Sequence, residues 1–307
     1  MPLVSVIMKS YNHASFVAES IESVLGQDFR DFELIIVDDA STDASRQVIE
    51  RYAEQDPRIR VIFHERNIGI SKVVNDGIDA ARGKFIAQID SDDVWVPDKL
   101  TKQLAVLEHD EDLIVWSEGE LIDHAGRSIG KSFSESLSEG QGYASTTKSG
   151  HIWQELVREN FILGSTVLYK KRNLGHVRYD EELLYLNDHK FYLELARQRQ
   201  FHYIAEPLAK YRLHGDNTLA SSGSEAFKRH RIAEKEYISI VEDEMRQYDD
   251  EITRETRAVI YGIMSSIYYS AGETKKALHF FLRAVKCNPL EKRNFLYPRL
   301  ALKRMLR

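Results

Sequence analysis

Four stretches in the first hundred residues carry side chains suited to polar chemistry, and each closes or follows a short apolar run. Lys9-Ser10-Tyr11-Asn12 follows LVSVIM (3–8), and Asp38-Asp39-Ala40-Ser41-Thr42-Asp43 closes ELIIVDD (33–39). Glu65-Arg66-Asn67-Ile68-Gly69 closes IRVIFHE (59–65), and Asp90-Ser91-Asp92-Asp93 closes KFIAQID (84–90). Carboxylates gathered at one edge raise one another's pKa unless a cation neutralises them. A hard divalent ion is the simple solution, because Mg²⁺ or Mn²⁺ typically takes one or two carboxylates together with substrate phosphates. Asp90, Asp92 and Asp93 directly after an apolar strand therefore read as a ligand-holding turn rather than a solvated acidic one. Asp43 reads as a cap for the next helix, with Ser41 and Thr42 competing for that place.

The elements that must position these groups are legible from periodicity. The four apolar runs are continuous and rich in Val and Ile, as strands covered on both faces should be. Between them, helical spacing links Phe16, Ile21, Val24 and Leu25, then Val48, Ile49 and Tyr52, then Val73, Val74, Ile78 and Ala81. The third helix is expected to stop at Gly83. Strand and helix in alternation predict an α/β fold with a mostly parallel sheet and right-handed crossovers. Ligands of such sheets bind beyond the carboxyl ends of the strands, so both acidic clusters and Tyr11 should share one rim.

Further on, a helix is expected from near Pro97, a strand at Leu113 to Leu121, and a long Ser/Gly-rich surface loop over 126–150. A strand near Ile162 to Tyr169, a helix near His189 to Arg197 and a strand near Phe201 to Tyr211 follow, and the chain is helical after Ser221. Tyr261, Gly262, Tyr268, Tyr269, Gly272, Ala277, Phe281, Ala284 and Pro289 loosely follow a tetratricopeptide unit. One such unit is too few for an independent solenoid, so a helical extension packed on the main domain is the competing reading.

VSVIMKSYNHASFVAESIESVLGQDFRDFELIIVDDASTD, followed by ERNIGISKVVNDGIDAARGKFIAQIDSDDVWVPDKL, resembles the nucleotide-binding half of family 2 glycosyltransferases of the GT-A fold. The likeness is dense over the first hundred residues and sparser through His214. It implies a Rossmann-like nucleotide-diphospho-sugar transferase domain over 1–220, with a nucleotide-binding half (1–110) and an acceptor half (111–220). A helical C-terminal extension would occupy 221–307. The resemblance places Ser10, Tyr11, Asn67 and Gly69 against the nucleotide, with the Tyr11 ring stacked on the base. Asp39 would accept the imide N–H of uracil, an edge that thymine shares and cytosine lacks.

Asp90-Ser91-Asp92 matches the family's DXD motif. Asp92 is then the direct metal ligand, with Asp90 and Ser91 at the ribose or metal. Leu186-Asn187-Asp188 resembles the segment that bears the catalytic base, with Asn187 where the family usually has Glu. The base assignment thus falls on Asp188, which also suits a helix N-cap. Tyr211-Arg212-Leu213-His214-Gly215-Asp216-Asn217 resembles the terminal motif whose histidine, here His214, reaches the metal or diphosphate. The implied reaction is inverting transfer of a sugar from a UDP-sugar, with Mn²⁺ or Mg²⁺, to a saccharide or polyprenyl-linked acceptor in cell-surface polysaccharide synthesis. A mobile 126–150 loop would close over the donor and exclude water.

Composition narrows the alternatives. Of 307 residues, 43% are hydrophobic and 29% charged, as in an ordinary globular protein, and the net charge of −6 argues against a general nucleic-acid binder. The single cysteine, Cys287, excludes an internal disulfide and suits a reducing compartment. No apolar run approaches the roughly 18 residues that span a bilayer, and residues 1–8 lack the features of a signal peptide. A cytoplasmic protein is expected. From Lys286 onward the chain carries seven basic residues and one acidic, a net +6 that leaves −12 for the rest. This basic, amphipathic end suits either peripheral contact with the anionic inner face of the membrane or a solvated helix terminus. Two rival functions stay open: a catalytically inactive GT-A-like scaffold acting through its helical tail, and a phosphatase built on the D-x-D-x-V string at Asp90–Val94.

Overall fold

The apolar runs fold as strands and the periodic stretches between them as helices. In the computed structural model, which describes residues 1–141, 148–215 and 224–291, the first third alternates regularly. It runs β1 (Val4–Ser10), α1 (Val17–Leu25), β2 (Phe32–Asp38), α2 (Ser45–Gln55), β3 (Ile59–Phe63), α3 (Ile70–Ala80) and β4 (Phe85–Asp90). β1 pairs in parallel with β2 and β4, and β2 pairs in parallel with β3. Every residue of β2 is buried, which is why its sequence is a continuous apolar run. A Cβ on Gly77 would come within 2.5 Å of the Ile7 side chain, so glycine is what lets α3 close on β1. The register sets Ser10 beside Asp38 and Lys9 beside Asp90, bringing the polar strand ends onto one rim.

The chain continues through β5 (Val94–Trp95), α4 (Lys99–His109), β6 (Ile114–Ile122), β7 (Ser128–Ser132), α5 (Phe133–Gln141) and α6 (Trp153–Arg158). β8 (Leu168–Lys170), α7 (Asn187–Ala196) and β9 (Phe201–Arg212) complete the nine-stranded sheet of the described residues. Its order is β3-β2-β1-β4-β8-β6-β9-β5, with β7 on β6. The parallel arrangement expected from the sequence holds for β3-β2-β1-β4. Beyond β4 the sheet is mixed: β8 runs antiparallel to β4 and β6, β5 antiparallel to β9, and β9 parallel to β6.

Two local expectations need correction. The strand expected from Ile162 begins only at β8, after a 3₁₀ turn at Gly164–Thr166. There the Thr166 hydroxyl donates to the Leu163 carbonyl at 2.6 Å, a local bond that competes with extended pairing. The 126–150 segment is not a plain loop either. β7 pairs antiparallel with β6, and α5 opens with a reciprocal pair, Ser132 N–H to Glu135 Oε2 (2.7 Å) and Glu135 N–H to Ser132 Oγ (3.2 Å). That is a capping box, and its S-x-x-E pattern stands in the sequence. Residues 142–147 lie outside the described residues.

The chain divides into two compact units. Met1–Ile152 with Phe161–Phe227 contains the sheet, and Trp153–Asn160 with the chain from Lys228 onward forms a second unit that is helical over its described residues. The helical unit holds α6, most of α8 (Ser224–Gln247), α9 (Arg254–Ser270) and α10 (Thr274–Cys287). Trp153 donates its indole N–H to Glu244 (2.9 Å) and Arg158 bonds the Thr256 hydroxyl (2.8 Å), so α6 belongs with helices far along the chain. Ala277 and Ala284 of α10 are fully buried, and the Ser265 hydroxyl of α9 donates to the Ala277 carbonyl at 2.8 Å. Among the described residues no helix is long and apolar enough to cross a membrane. The basic tail from Lys292 lies outside the described residues, as do Asp216 and Asn217.

Candidate active site

The rim is built by lacing two loops together. Asn12, His13 and Ala14, which follow β1, donate consecutive main-chain N–H groups to Ser41 Oγ, Ser45 Oγ and Asp43 Oδ2 after β2, each at 2.9 Å. Asn12 Oδ1 accepts the Thr42 N–H in return at 2.7 Å. Asn12 and Ala40 both hold positive φ, 54° and 59°, conformations the surrounding bonds must enforce. Asp38 turns into its own loop, accepting the N–H (2.9 Å) and hydroxyl (2.6 Å) of Ser41. Asp43 accepts the Ser45 N–H (2.9 Å), securing the first turn of α2 from one position before its N-cap, Ala44. Burial alone would raise the Asp43 carboxyl, but hydrogen bonds from Ser45 and Ala14 outweigh it and hold it low.

Three nucleotide-side candidates lie at one loop. Buried Asp39 accepts the main-chain N–H of Ile68 (2.8 Å) and Gly69 (3.0 Å), so it pegs the loop that carries Asn67. His64 Nδ1 lies 3.3 Å from the same carboxylate. Asn67 is exposed and Gly69 sits at φ 93°, where a side-chain-bearing residue would be strained. Tyr11 presents its ring to solvent at 44% exposure, whereas Ser10 is buried with a hydroxyl that meets no hydrogen-bond partner.

At the end of β4 the acidic residues separate into different tasks. Asp90 pairs with Lys9 (2.7 Å). Burial pulls the Lys9 ammonium down, but Asp90, joined by Asp188 and Asp92, more than offsets this and raises it. Asp93 faces inward, accepting from the Ser165 hydroxyl (2.5 Å) and the Arg212 N–H (3.1 Å), and burial beside Asp92 and Asp90 pushes its carboxyl well up. Asp92 faces two imidazoles, His214 Nε2 at 2.9 Å and His13 Nε2 at 3.9 Å. Burial would raise its carboxyl, yet the His214 hydrogen bond and the charges of both histidines hold it low. Ser91 is fully buried and its Oγ lies 2.8 Å from His13 Nδ1.

Arg212 locks this turn from behind. Its guanidinium is 1% exposed, donates Nε–H to the Asp92 carbonyl (2.8 Å) and pairs with Glu19 of α1 (2.5 Å). Asp188 is the second residue of α7, whose N-cap is Leu186, so the expected N-cap position is corrected by two residues. Its carboxylate accepts the His189 N–H at 2.6 Å. Burial raises the Asp188 carboxyl; Lys9 opposes the rise and Asp90 adds to it.

Two overlapping groups among the described residues have the donor chemistry of a cation site: Asp90, Asp92 and Asp93, and His13, Asp92 and His214. Carboxylate oxygens alone suit Mg²⁺ or Mn²⁺, and a carboxylate joined by imidazole nitrogens suits a divalent first-row ion. Lys9, Phe16, Ser165 and Arg212 stand within the patterns read from sequence but received no role of their own there, and His13 was passed over. A lysine next to last in a mostly apolar strand was the available signal for Lys9.

Residues 5–176 match the family model described as glycosyl transferase family 2. An uncharacterised glycosyltransferase of Methanocaldococcus jannaschii is 34% identical over 224 residues, 71% of this chain and 74% of that protein. The GalNAc(5)-diNAcBac-PP-undecaprenol beta-1,3-glucosyltransferase of Campylobacter jejuni is 26% identical over 288 residues, 91% of this chain and 86% of its own. Among solved structures, S. aureus TarS 1–349 in complex with UDP-GlcNAc aligns with a TM-score of 0.63 at 16% identity, covering 93% of this chain and 91% of that one. A mannosyltransferase of Pyrobaculum calidifontis in complex with GDP-Man and Mn²⁺ aligns at 0.54 and 15% identity, covering 95% and 88%. At such identities the structural likeness carries the fold, which is of the GT-A type.

Proposed function

The chain belongs to glycosyl transferase family 2, and from that premise we propose that it transfers a sugar, with inversion at the anomeric carbon, from a UDP-sugar to a hydroxyl of a saccharide or lipid-linked acceptor, releasing UDP. The observation that supports this reading is the gathering of Asp90, Asp92 and His214 at the strand ends, with Lys9 pairing Asp90 at 2.7 Å and His214 Nε2 lying 2.9 Å from Asp92. Tyr11 stacks on the base, Asp39 takes its imide N–H, Asn67, Gly69 and Asp90 line the nucleoside, and buried Ser10 and Ser91 support the turns behind it. Asp39 already accepts from two loop amides and lies 3.3 Å from His64 Nδ1, and of a carboxylate's roughly four lone-pair sites one stays for the imide N–H.

Asp92 and His214 are the residues that would hold a divalent cation, Mn²⁺ or Mg²⁺. When bound, it supplies positive charge against a departing diphosphate. Asp188 takes the proton of the acceptor hydroxyl as that oxygen attacks the anomeric carbon from the face opposite the diphosphate. Its burial suits the task, since a carboxyl raised toward neutrality is a stronger base once ionised. The Campylobacter relative's undecaprenol-linked substrate supports a lipid-linked acceptor for this chain as well. We place the basic tail against an anionic membrane; failure to float with anionic liposomes at low salt would remove that element.

Isothermal titration with UDP tests the donor site. Binding should require Mn²⁺ or Mg²⁺ and should vanish in Asp92→Ala. Metal-independent binding, or binding only to dTDP or GDP, would refute the donor assignment.

A further inference from the structure

Asp92 and His214 leave one neighbouring imidazole without a task. His13 is held by the lacing of Asn12–Ala14 to the β2 loop, and its Nε2 lies 3.9 Å from Asp92 Oδ2. The same oxygen is 2.9 Å from His214 Nε2, and all three donor atoms lie within 4.8 Å of one another. They come from three separate segments: the turn after β1, the turn after β4 and the chain leaving β9.

The orientation of His13 is fixed on its far side. Nδ1 lies 2.8 Å from the hydroxyl of fully buried Ser91, so Nε2 is the ring nitrogen that faces Asp92. Metal-binding histidines are oriented in this way, one ring nitrogen held by a hydrogen bond and the other left for the ion. The two imidazoles stand nearly perpendicular, at 87° and 5.7 Å between centroids. Buried Phe16 packs against both rings, 4.8 Å from His214 and 6.2 Å from His13, and limits their rotation.

We infer that His13, Asp92 and His214 form a two-histidine, one-carboxylate ligand set that makes this protein prefer Mn²⁺ and other first-row transition ions over Mg²⁺. The inference rests on the proposed donor site and deepens it by adding a ligand and a metal selectivity. Mg²⁺ is a hard ion that favours oxygen donors and retains water, whereas imidazole nitrogen binds first-row ions increasingly well from Mn²⁺ toward Co²⁺ and beyond. Two nitrogens beside one carboxylate therefore weigh against Mg²⁺. Three protein ligands on neighbouring segments leave the remaining coordination positions to diphosphate oxygens and water.

The test uses the full chain with saturating UDP. Mn²⁺ binding is followed by loss of the free-ion electron paramagnetic resonance signal beyond the loss that the same UDP concentration causes without protein, and Mg²⁺ binding by competition. Wild type should bind Mn²⁺ at least about tenfold more tightly than Mg²⁺, and both His13→Ala and His13→Gln should lose about tenfold or more in Mn²⁺ affinity with a smaller loss for Mg²⁺. Spin-echo modulation of Mn²⁺-loaded wild type should show two coupled imidazole nitrogens, a readout that needs no variant to fold. A single coupled nitrogen, or an unchanged Mn²⁺-to-Mg²⁺ ratio in the variants, overturns the ligand set while leaving the donor reading intact. Absence of any metal-dependent nucleotide binding by wild type overturns both.

Discussion

Replacing Arg212 by methionine would remove the group that ties the Asp90–Asp93 turn to its surroundings. The guanidinium donates to the carbonyls of Asp92 (2.8 Å), His124 (3.2 Å) and Asp123 (3.4 Å), and to Glu19 (2.5 Å). Glu19 is half exposed, so water can replace that ion pair at a cost of about 1 kcal/mol or less. The carbonyls are different, because bonds from a charged donor contribute about 1.5–3 kcal/mol each when well formed. With one strong carbonyl bond and two longer ones, Arg212→Met should cost the sheet-bearing unit about 3–5 kcal/mol. At roughly 2–4 °C per kcal/mol for a unit of this size, its calorimetric transition should fall by about 6–20 °C. Glu19→Gln, which leaves the carbonyl bonds in place, should move it by about a tenth to a third as much. A loss below about 1 kcal/mol for Arg212→Met, or equal losses for the two variants, would refute the view that the carbonyl bonds are what hold the turn.

Other perturbations separate chemistry from scaffold. Asp188→Asn should lower kcat by about 10²–10⁴-fold and leave UDP affinity nearly unchanged, as measured by titration. Because burial raises the Asp188 carboxyl and the base works ionised, wild-type turnover should climb with pH through a point above the ordinary carboxylate range; a flat acid limb in wild type would count against the assignment. Lys99 is fully buried, with its ammonium pushed well below the ordinary 10.5 by desolvation. The unfolded chain then binds the extra proton between the folded and unfolded pKa, so stability to urea should rise with pH over that window and level off near about 10.5. Lys99→Met should flatten that slope. Ala40→Gly, which relieves a positive φ of 59°, should stabilise by up to about 1 kcal/mol net of the added freedom of the unfolded chain.

The β3-β2-β1-β4 region was legible because its signals are local and repeated: each strand is a continuous apolar run that closes on polar residues. That pattern put Tyr11, Asp39, Asp90 and Asp92 on one rim, and the family resemblance supplied the roles expected of them. What the sequence concealed was long-range. Arg212 reaches Asp92 and Glu19 from the end of β9, and Ser165 reaches Asp93 from a 3₁₀ turn, contacts that no spacing rule encodes. β7 and α5 were hidden for another reason, since Ser, Gly and Glu give weak periodicity and only the Ser132–Glu135 pair marked the helix start. The mixed sheet beyond β4 was hidden because short strands such as β8 show neither alternation nor length.

The three bonds from Asn12, His13 and Ala14 to the β2 loop bear on how such enzymes can be recombined. The segment that holds His13 and the loop that follows Asp39 are fastened amide by amide, and in the proposed function they serve the phosphates and the base. A graft that brings in only the β2 loop of a relative, to change which base is accepted, would sever Ser41, Asp43 and Ser45 from their donors and release His13 with them. The two segments must be exchanged as one cassette, so base preference and metal preference should be inherited together across chimeras of this fold.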